Sequence, residues 1–512
     1  MRARWGIGLV VLAVVVSGAI FIRMVRPEPV HRIHVALRKK IRRLTWVPEP
    51  SGDPIADPPF VFRKSENEQF ATLSEDKTYL VNTITRKPVF MTGEQAYSLA
   101  INLSSNSDIE HYLQTRQHMG FNFIWVGAVD QAYLVNPPAN ALGQVPFLGY
   151  PDGTGRAFVN MNEVYFDHLD YVIQRAAAHG FTVLLNVAFV GSGPTWCSEE
   201  TGWCRQLQTA SDDDLIAYGT YLGSRYKSYP NIIWMLGGDC DLRHYPVFKG
   251  KMDAIAKGIR AADSIHLMTI ETLPPNGASQ DGMEGSAWID LNFLYHAGPG
   301  MTEAAHENYK RHDALPMFVG EDSLENEIVG DFVERSEAYQ AVLGGARLGF
   351  IFGNCVIWPF GAVYPYCKIE PGQTWRNRLS STGSIGRQYL GRLMRSREHW
   401  KMVPDLDHSA VTAGYGSGES ATVAARTQDG QTIMAYVPNG NGTTLTVAMD
   451  RITSSTHKAK GWWFNPSSGT SQLIGTFPSS GTRTFTAPDG NDWVLVVDDA
   501  DTKLPPPGGR DL

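Results

Sequence analysis

The sequence predicts an α/β protein: a (β/α)8 barrel, then a small antiparallel β-sandwich, behind an N-terminal membrane-anchor or signal segment. Three observations carry this. From about residue 80 to 400, short apolar segments alternate with amphipathic helical stretches. After about 400 the apolar period becomes two. Ahead of both, Trp5 to Ile22 is an almost unbroken apolar run.

The strand candidates of the first region are Pro88–Gly93, Asn122–Ala128, Thr182–Ala188, Asn231–Leu236, His266–Ile270, Leu291–His296, Met317–Gly320 and Gly349–Gly353. Helical patterns separate most of them. In Glu163–His179, Leu169, Val172, Ile173 and Ala176 fall at i, i+3, i+4 and i+7, and Gly180 closes the helix. Ser211-Asp-Asp-Asp214 reads as a capping box, with Leu215, Tyr218 and Leu222 on one face behind it. Eightfold strand–helix alternation is the pattern of the TIM barrel. A doubly wound sheet would need a phosphate-type glycine loop after its first strand, and Thr92-Gly-Glu-Gln-Ala96 is not one.

In the second region Ala421–Arg426 and Thr432–Val437 flank Asp429-Gly430, a hairpin signal. Leu445–Met449, Thr482–Thr486 and Trp493–Val497 follow without a helical pattern, giving the sandwich. The expected organisation is therefore 1–23 signal or anchor, 24–57 basic and Pro-rich stalk, 58–400 barrel, 401–500 β domain and 501–512 tail. The apolar run suits a membrane span or a cleaved signal peptide. The basic residues after it, Arg26 to Arg43, favour a cytoplasmic downstream side. The remainder of the chain favours export.

Composition narrows the function. The 512 residues are 43% apolar and 19% charged, which fits globular domains and excludes wholesale disorder. The 52 acids against 45 bases give −7, without the basic surplus of a nucleic-acid binder. Thirteen Trp provide either core or stacking platforms for sugar faces. Cys197 with Cys204, and Cys355 with Cys367, could close local disulfides or remain thiols; Cys240 is left over. No cofactor or metal is expected: there is no Walker loop, H-E-x-x-H or G-x-S-x-G, and no His set at metal-ligand spacing.

In a barrel the chemistry sits where strands end. Strand four ends in Trp234-Met-Leu-Gly-Gly-Asp239, and strand seven in Met317-Phe-Val-Gly-Glu321. Carboxyl groups there can face each other across the mouth, as glycosidic cleavage requires: one protonated for the leaving oxygen, one ionised for the anomeric carbon. Asp239 and Glu321 are thus the catalytic candidates. Asp241 and Asp322 read as structural. Trp125, Trp234, Trp288 and Trp358 are candidates for sugar stacking, and Glu94, Asn122, Tyr295 and His296 for hydroxyl recognition.

The run Pro88-Val-Phe-Met-Thr-Gly-Glu-Gln-Ala-Tyr97, the Gly120-Phe-Asn-Phe strand, Tyr229-Pro-Asn-Ile-Ile-Trp-Met-Leu-Gly-Gly-Asp239 and Pro316-Met-Phe-Val-Gly-Glu321 resemble the apiosidase-like glycoside hydrolases. Lys460-Gly-Trp-Trp-Phe-Asn-Pro466 and Asp492-Trp-Val-Leu-Val496 resemble the collagen-binding-like β domain that often follows such barrels. The resemblance implies a retaining TIM-barrel glycosidase acting on plant cell-wall polysaccharide, with Asp239 as acid/base and Glu321 as nucleophile. It departs from the family at Gly93-Glu-Gln-Ala-Tyr97, where the usual run is Gly-Asp-Thr-Ala-Trp, so it does not extend to the particular sugar. The expected partners are a carbohydrate substrate and, through an uncleaved N-terminus, a membrane. Nothing physical in the β domain supports collagen binding. Two other readings stand beside this one: a non-catalytic polysaccharide- or matrix-binding protein on a TIM-barrel scaffold, and a metal-dependent hydrolase on the same barrel.

Overall fold

A computed structural model describes residues 62–512, apart from 132–133, 135–136, 192–201, 274–276, 328–329 and 363–366. The expected anchor and stalk lie outside the described residues, as does Cys197. Among the described residues no helix is long and apolar enough to cross a membrane.

Eight parallel strands form the core: β1 Met91–Gln95, β2 Phe123–Gly127, β3 Thr182–Asn186, β4 Ile232–Gly237, β5 Met268–Glu271, β6 Asn292–Tyr295, β7 Met317–Glu321 and β8 Gly349–Phe352. Their order is β5-β4-β3-β2-β1-β8-β7-β6, a nearly closed TIM-like barrel. The β5–β6 seam has no ladder between its described strands; the amides of Asp290 and Leu291 reach Met268 O at its start, and side chains bridge the rest. Ser279 Oγ donates to Ile270 O at 2.7 Å and accepts from the Phe293 amide at 2.8 Å, while Thr269 Oγ1 donates to Leu291 O at 2.9 Å. Helices α1 Asn106–His118, α2 Glu163–Ala178, α3 Asp212–Tyr226, α4 Pro246–Ala262, α5 Met301–Tyr309, α6 Asp331–Gly344 and α7 Thr382–Arg395 follow every strand but β5. Ser211 Oγ accepts from the Asp214 amide at 3.1 Å, one half of the expected box, and Gly180 follows α2 with φ +80°.

Side chains alternate along the strands between two apolar clusters, as a pleated strand requires, until an irregularity between Val319 and Glu321 ends the alternation on β7. Phe123, Trp125, Ile233, Met235, Phe293 and Phe318 fill the barrel interior. Ile124, Val126, Ile232, Trp234, Leu236 and Val319 pack outward among the helices. The first expected strand divides. Pro88–Val89 pairs with Leu80–Val81, and that with Thr72–Leu73, in a small antiparallel sheet. Its Leu80 joins the interior cluster, with Leu73 and Val89 packed against it.

The C-terminal region forms two antiparallel sheets. Strands β9 Met402–Pro404, β11 Val423–Thr427, β12 Thr432–Val437, β14 Lys458–Asn465, β15 Thr470–Pro478 and β17 Trp493–Asp499 make the larger, in the order β9-β11-β12-β17-β14-β15. The smaller has β13 Thr444–Ala448 between β10 Val411–Ala413 and β16 Thr482–Thr486. Asp429-Gly430 makes the expected turn between β11 and β12, while Asp489-Gly490 carries the chain from one sheet to the other. The two sheets share a core of Val411, Ile433, Leu445, Trp463, Phe485 and Leu495.

The larger sheet turns its other face to the barrel, where Tyr436, Phe464, Val494 and Val496 belong to the helix-layer cluster. Tyr339 of α6 stacks on Tyr436 with centroids 4.9 Å apart. Arg335 of α6 grips Asp492 through two bonds of 2.9 and 3.0 Å, and buried Arg397 grips Asp498 at 2.9 and 2.8 Å. The last residues lie back on α7, where Arg392 donates to Gly508 O at 2.6 Å.

Candidate active site

The mouth of the barrel holds a cavity lined by Gln95, Tyr97, Trp125, Phe189, Asp239, Glu271, Tyr295, Glu321, Leu324, Glu327 and Trp358. Asp239 arrives there through two glycines in the left-handed region, Gly237 (φ +87°) and Gly238 (φ +157°). A Cβ on Gly237 would stand 2.2 Å from the Glu271 carbonyl oxygen, so only glycine lets the end of β4 run this close to β5. Glu321 ends β7, and its Oε2 accepts from Gln95 Nε2 at 3.0 Å. The Tyr295 hydroxyl, from β6, interacts with both Asp239 and Glu321.

None of the lining residues is Lys, Arg or His, so these carboxyl groups share a buried, acidic space. Burial pushes Asp239 up to about 6, against the opposing pull of hydrogen bonds from Tyr295 and Glu271. Glu321 is raised by burial and by the charge of Asp239, with Tyr295 and Gln95 pulling it back. Glu271 is raised by burial first, then by Asp239 and Glu321. Among the described residues no group of three or more acidic, His or Cys side chains is placed to hold a metal ion.

Of the expected site residues, the structure brings together Asp239, Glu321, Trp125, Tyr295 and Trp358. The others need correction. Glu94 is fully buried outside the cavity, where its carboxylate accepts from Tyr112 at 2.6 Å and Arg116 Nε at 2.7 Å on α1. Strand alternation explains this: Glu94 points to the helices and its neighbour Gln95 points inward. Asn122 bonds to the backbone of Phe90 and Thr92 instead of facing the mouth. Trp234 belongs to the outward cluster, its indole donating to Asp263 at 2.8 Å, and Trp288 donates to Asp253 at 2.7 Å. His296 follows Tyr295 but turns its ring to the Pro299 carbonyl, at 3.0 Å. Asp241 is engaged by Arg243 and His244, and Asp322 by Arg387.

Sequence reasoning missed Glu271, Gln95, Phe189, Leu324 and Glu327. For Glu271 a signal was present: Met268-Thr-Ile-Glu271 is an apolar strand running into a carboxylate, the pattern that singled out Glu321.

A model described as "Apiosidase-like, catalytic domain" matches residues 74–401, nearly the whole barrel. The chain belongs to the apiosidase-like family. The β domain of this apiosidase-like protein matches, over residues 403–498, a model described as "Putative collagen-binding domain of a collagenase". Among solved structures, a glycoside hydrolase family 5 protein from Bacteroides vulgatus is 22% identical with a TM-score of 0.71, covering 86% of this chain and 96% of that one. Another, described as a glycoside hydrolase, is 23% identical with a TM-score of 0.70, covering 86% and 98%. Over those lengths they share the fold of this chain. No curated protein sequence matches the chain.

Proposed function

We propose that this apiosidase-like protein is a retaining glycosidase that removes short side chains from plant cell-wall or related polysaccharide. The observation that carries the reading is the convergence of Asp239 and Glu321, from β4 and β7, on one cavity where a single tyrosine hydroxyl interacts with both. In the first step Glu321 attacks the anomeric carbon while Asp239 gives its proton to the departing glycosidic oxygen. The glycosyl ester neutralises Glu321. Water then attacks the same carbon, Asp239 takes its proton, and the sugar leaves with Glu321 restored as carboxylate. A carboxyl held near 6 suits a group that must act first as acid and then as base. The Gln95 amide donates to Glu321 Oε2 and orients the nucleophile. Tyr97, Trp125, Phe189 and Trp358 supply aromatic walls for a sugar ring.

The compartment we propose is oxidising, with the chain exported and either secreted or anchored through its N-terminal segment. The Cys355–Cys367 disulfide and the disulfide-bonded state of Cys204 support this.

The test is sugar release from aryl glycosides and pectic oligosaccharides by wild type, Glu321→Ala and Asp239→Ala, with folding checked for each. Release by wild type is expected, falling by about 10²-fold or more in both variants. Asp239→Ala should lose least on aryl glycosides, whose leaving group needs no proton. Release that survives Glu321→Ala would overturn the nucleophile assignment. Polysaccharide binding with no release from any substrate would favour a binding protein on this barrel.

A further inference from the structure

Glu271 stands where the proposed mechanism makes no use of it. It closes β5, is buried, and lines the same cavity as Asp239 and Glu321. Its backbone sits opposite Gly237, two residues before Asp239. Neither of its carboxyl oxygens meets an amide or hydroxyl donor, and neither does the buried Oδ1 of Asp239. The partner of its side chain is the carboxyl group of Asp239. Two carboxyl groups that interact at close range in a largely buried site, with no cation among the described residues lining it, are held together only if one keeps a proton between them. The surroundings say which one keeps it. Glu271 interacts with Asp239 beyond β4, Tyr295 on β6, Glu321 at the end of β7 and Tyr97 beyond β1, and it shares the cavity with Glu327. Each of these is an acid, and none is a base. Asp239 also takes a hydrogen bond from the Tyr295 hydroxyl and is partly exposed, whereas both carboxyl oxygens of Glu271 are buried and without such a donor.

We propose that Glu271 is a positioning residue for the acid/base carboxyl: it stays protonated and donates that proton in a hydrogen bond to Asp239. The inference rests on the glycosidase reading for its role, though not for its proton. When Asp239 gives its proton to the leaving oxygen, a new carboxylate appears in a site with no positive charge among its described lining residues. The Glu271 hydroxyl is the donor that receives it. No proton leaves Glu271 in either step, so the stoichiometry of the two-step cleavage is unchanged. The same bond fixes the rotamer of Asp239, leaving its other oxygen for the substrate.

Two variants and two readouts test this. Glu271→Gln keeps a neutral donor of nearly the same size, and its kcat/KM should stay within about tenfold of wild type. Glu271→Leu removes the donor, and should lose about 10²-fold in kcat with little change in KM. Because the lost bond favoured the ionised form of Asp239, the alkaline limb of the Leu profile should move to higher pH. A structural role alone would lower the melting temperature and leave that limb in place. A limb that moved to lower pH would mean that Glu271 is ionised in the wild type. Both outcomes overturn the proposal. The second readout needs no substrate: infrared difference spectra of wild type against Glu271→Gln at neutral pH should show a protonated-carboxyl band present only in the wild type. Its absence would overturn the proposal even in an active enzyme. Its presence in a protein that cleaves no glycoside would retain the proton on Glu271 and sink the glycosidase reading instead.

Discussion

Gln95 and Glu321 meet across the mouth of the barrel, with Nε2 of one donating to Oε2 of the other at 3.0 Å. The contact joins the end of β1 to the end of β7, with β8 between them. A neutral donor on a buried carboxylate favours its ionised form, which a nucleophile needs.

Gln95→Leu should therefore raise the pKa of Glu321 and move the acidic limb of the kcat/KM profile to higher pH. The expected loss at the optimum is about 10- to 100-fold, the worth of one buried hydrogen bond to a charged group. A pH–rate series on wild type and variant checks this. An unmoved acidic limb would separate Gln95 from the nucleophile.

The Glu94–Arg116 pair is expected to matter for stability and not for chemistry. Both side chains are fully buried, and Arg116 also donates to Leu379 O at 2.7 Å and Ser384 Oγ at 3.0 Å. Glu94→Ala leaves a buried guanidinium without its counter-ion, at a cost of about 3–5 kcal/mol. Chemical denaturation should show that loss, while kcat of the folded fraction stays within about twofold. Selective loss of kcat with stability intact would contradict the placement of Glu94 outside the cavity.

His399 gives the protein an acid sensitivity of its own. The ring is buried at the joint between α7 and β9, edge-on to Phe90, and burial lowers its pKa to about 3, with Arg395 adding to the effect. A folded-state pKa below the unfolded value near 6.5 means that the unfolded chain takes up the proton first. Its contribution to stability is thus complete above about pH 6.5 and drains away as the pH falls towards 3, by up to about 1.4 kcal/mol per unit. His399→Phe should flatten the decline in melting temperature between pH 7 and 4. Equal slopes in variant and wild type would refute it.

Most of the strands could be located from sequence because they are short runs of aliphatic and aromatic residues bounded by polar turns, and a strand buried on both faces needs nothing subtler. Ile232–Leu236 and Thr182–Leu185 are such runs. That continuity also hides which face a residue takes. Trp234 and Trp125 look alike in the sequence, yet one lies among the helices and the other in the cavity. The distinction rests on a register of one residue, which strand pairing sets. Glu94 and Gln95 are indistinguishable in sequence for the same reason, whereas Glu271 carries the same strand-end signal as Glu321. Asp239 and Glu321 were legible because each follows an apolar run and a glycine at the C-terminal end of a strand. The bond from Gln95 to Glu321 spans 226 residues of chain, and no local pattern announces it.

Tyr339, Arg335 and their partners on the β domain have a consequence for anyone who would shorten this protein. Helix α6, which carries both, begins ten residues after Glu321. Trimming the chain at residue 401 would strip α6 of its outer cover, bare a row of apolar side chains and leave Arg335 without Asp492. The two regions are separate as sequence families but share one solvent-excluded seam. An engineer should treat them as a single unit of expression, purification and denaturation, and not as an enzyme with a detachable appendage.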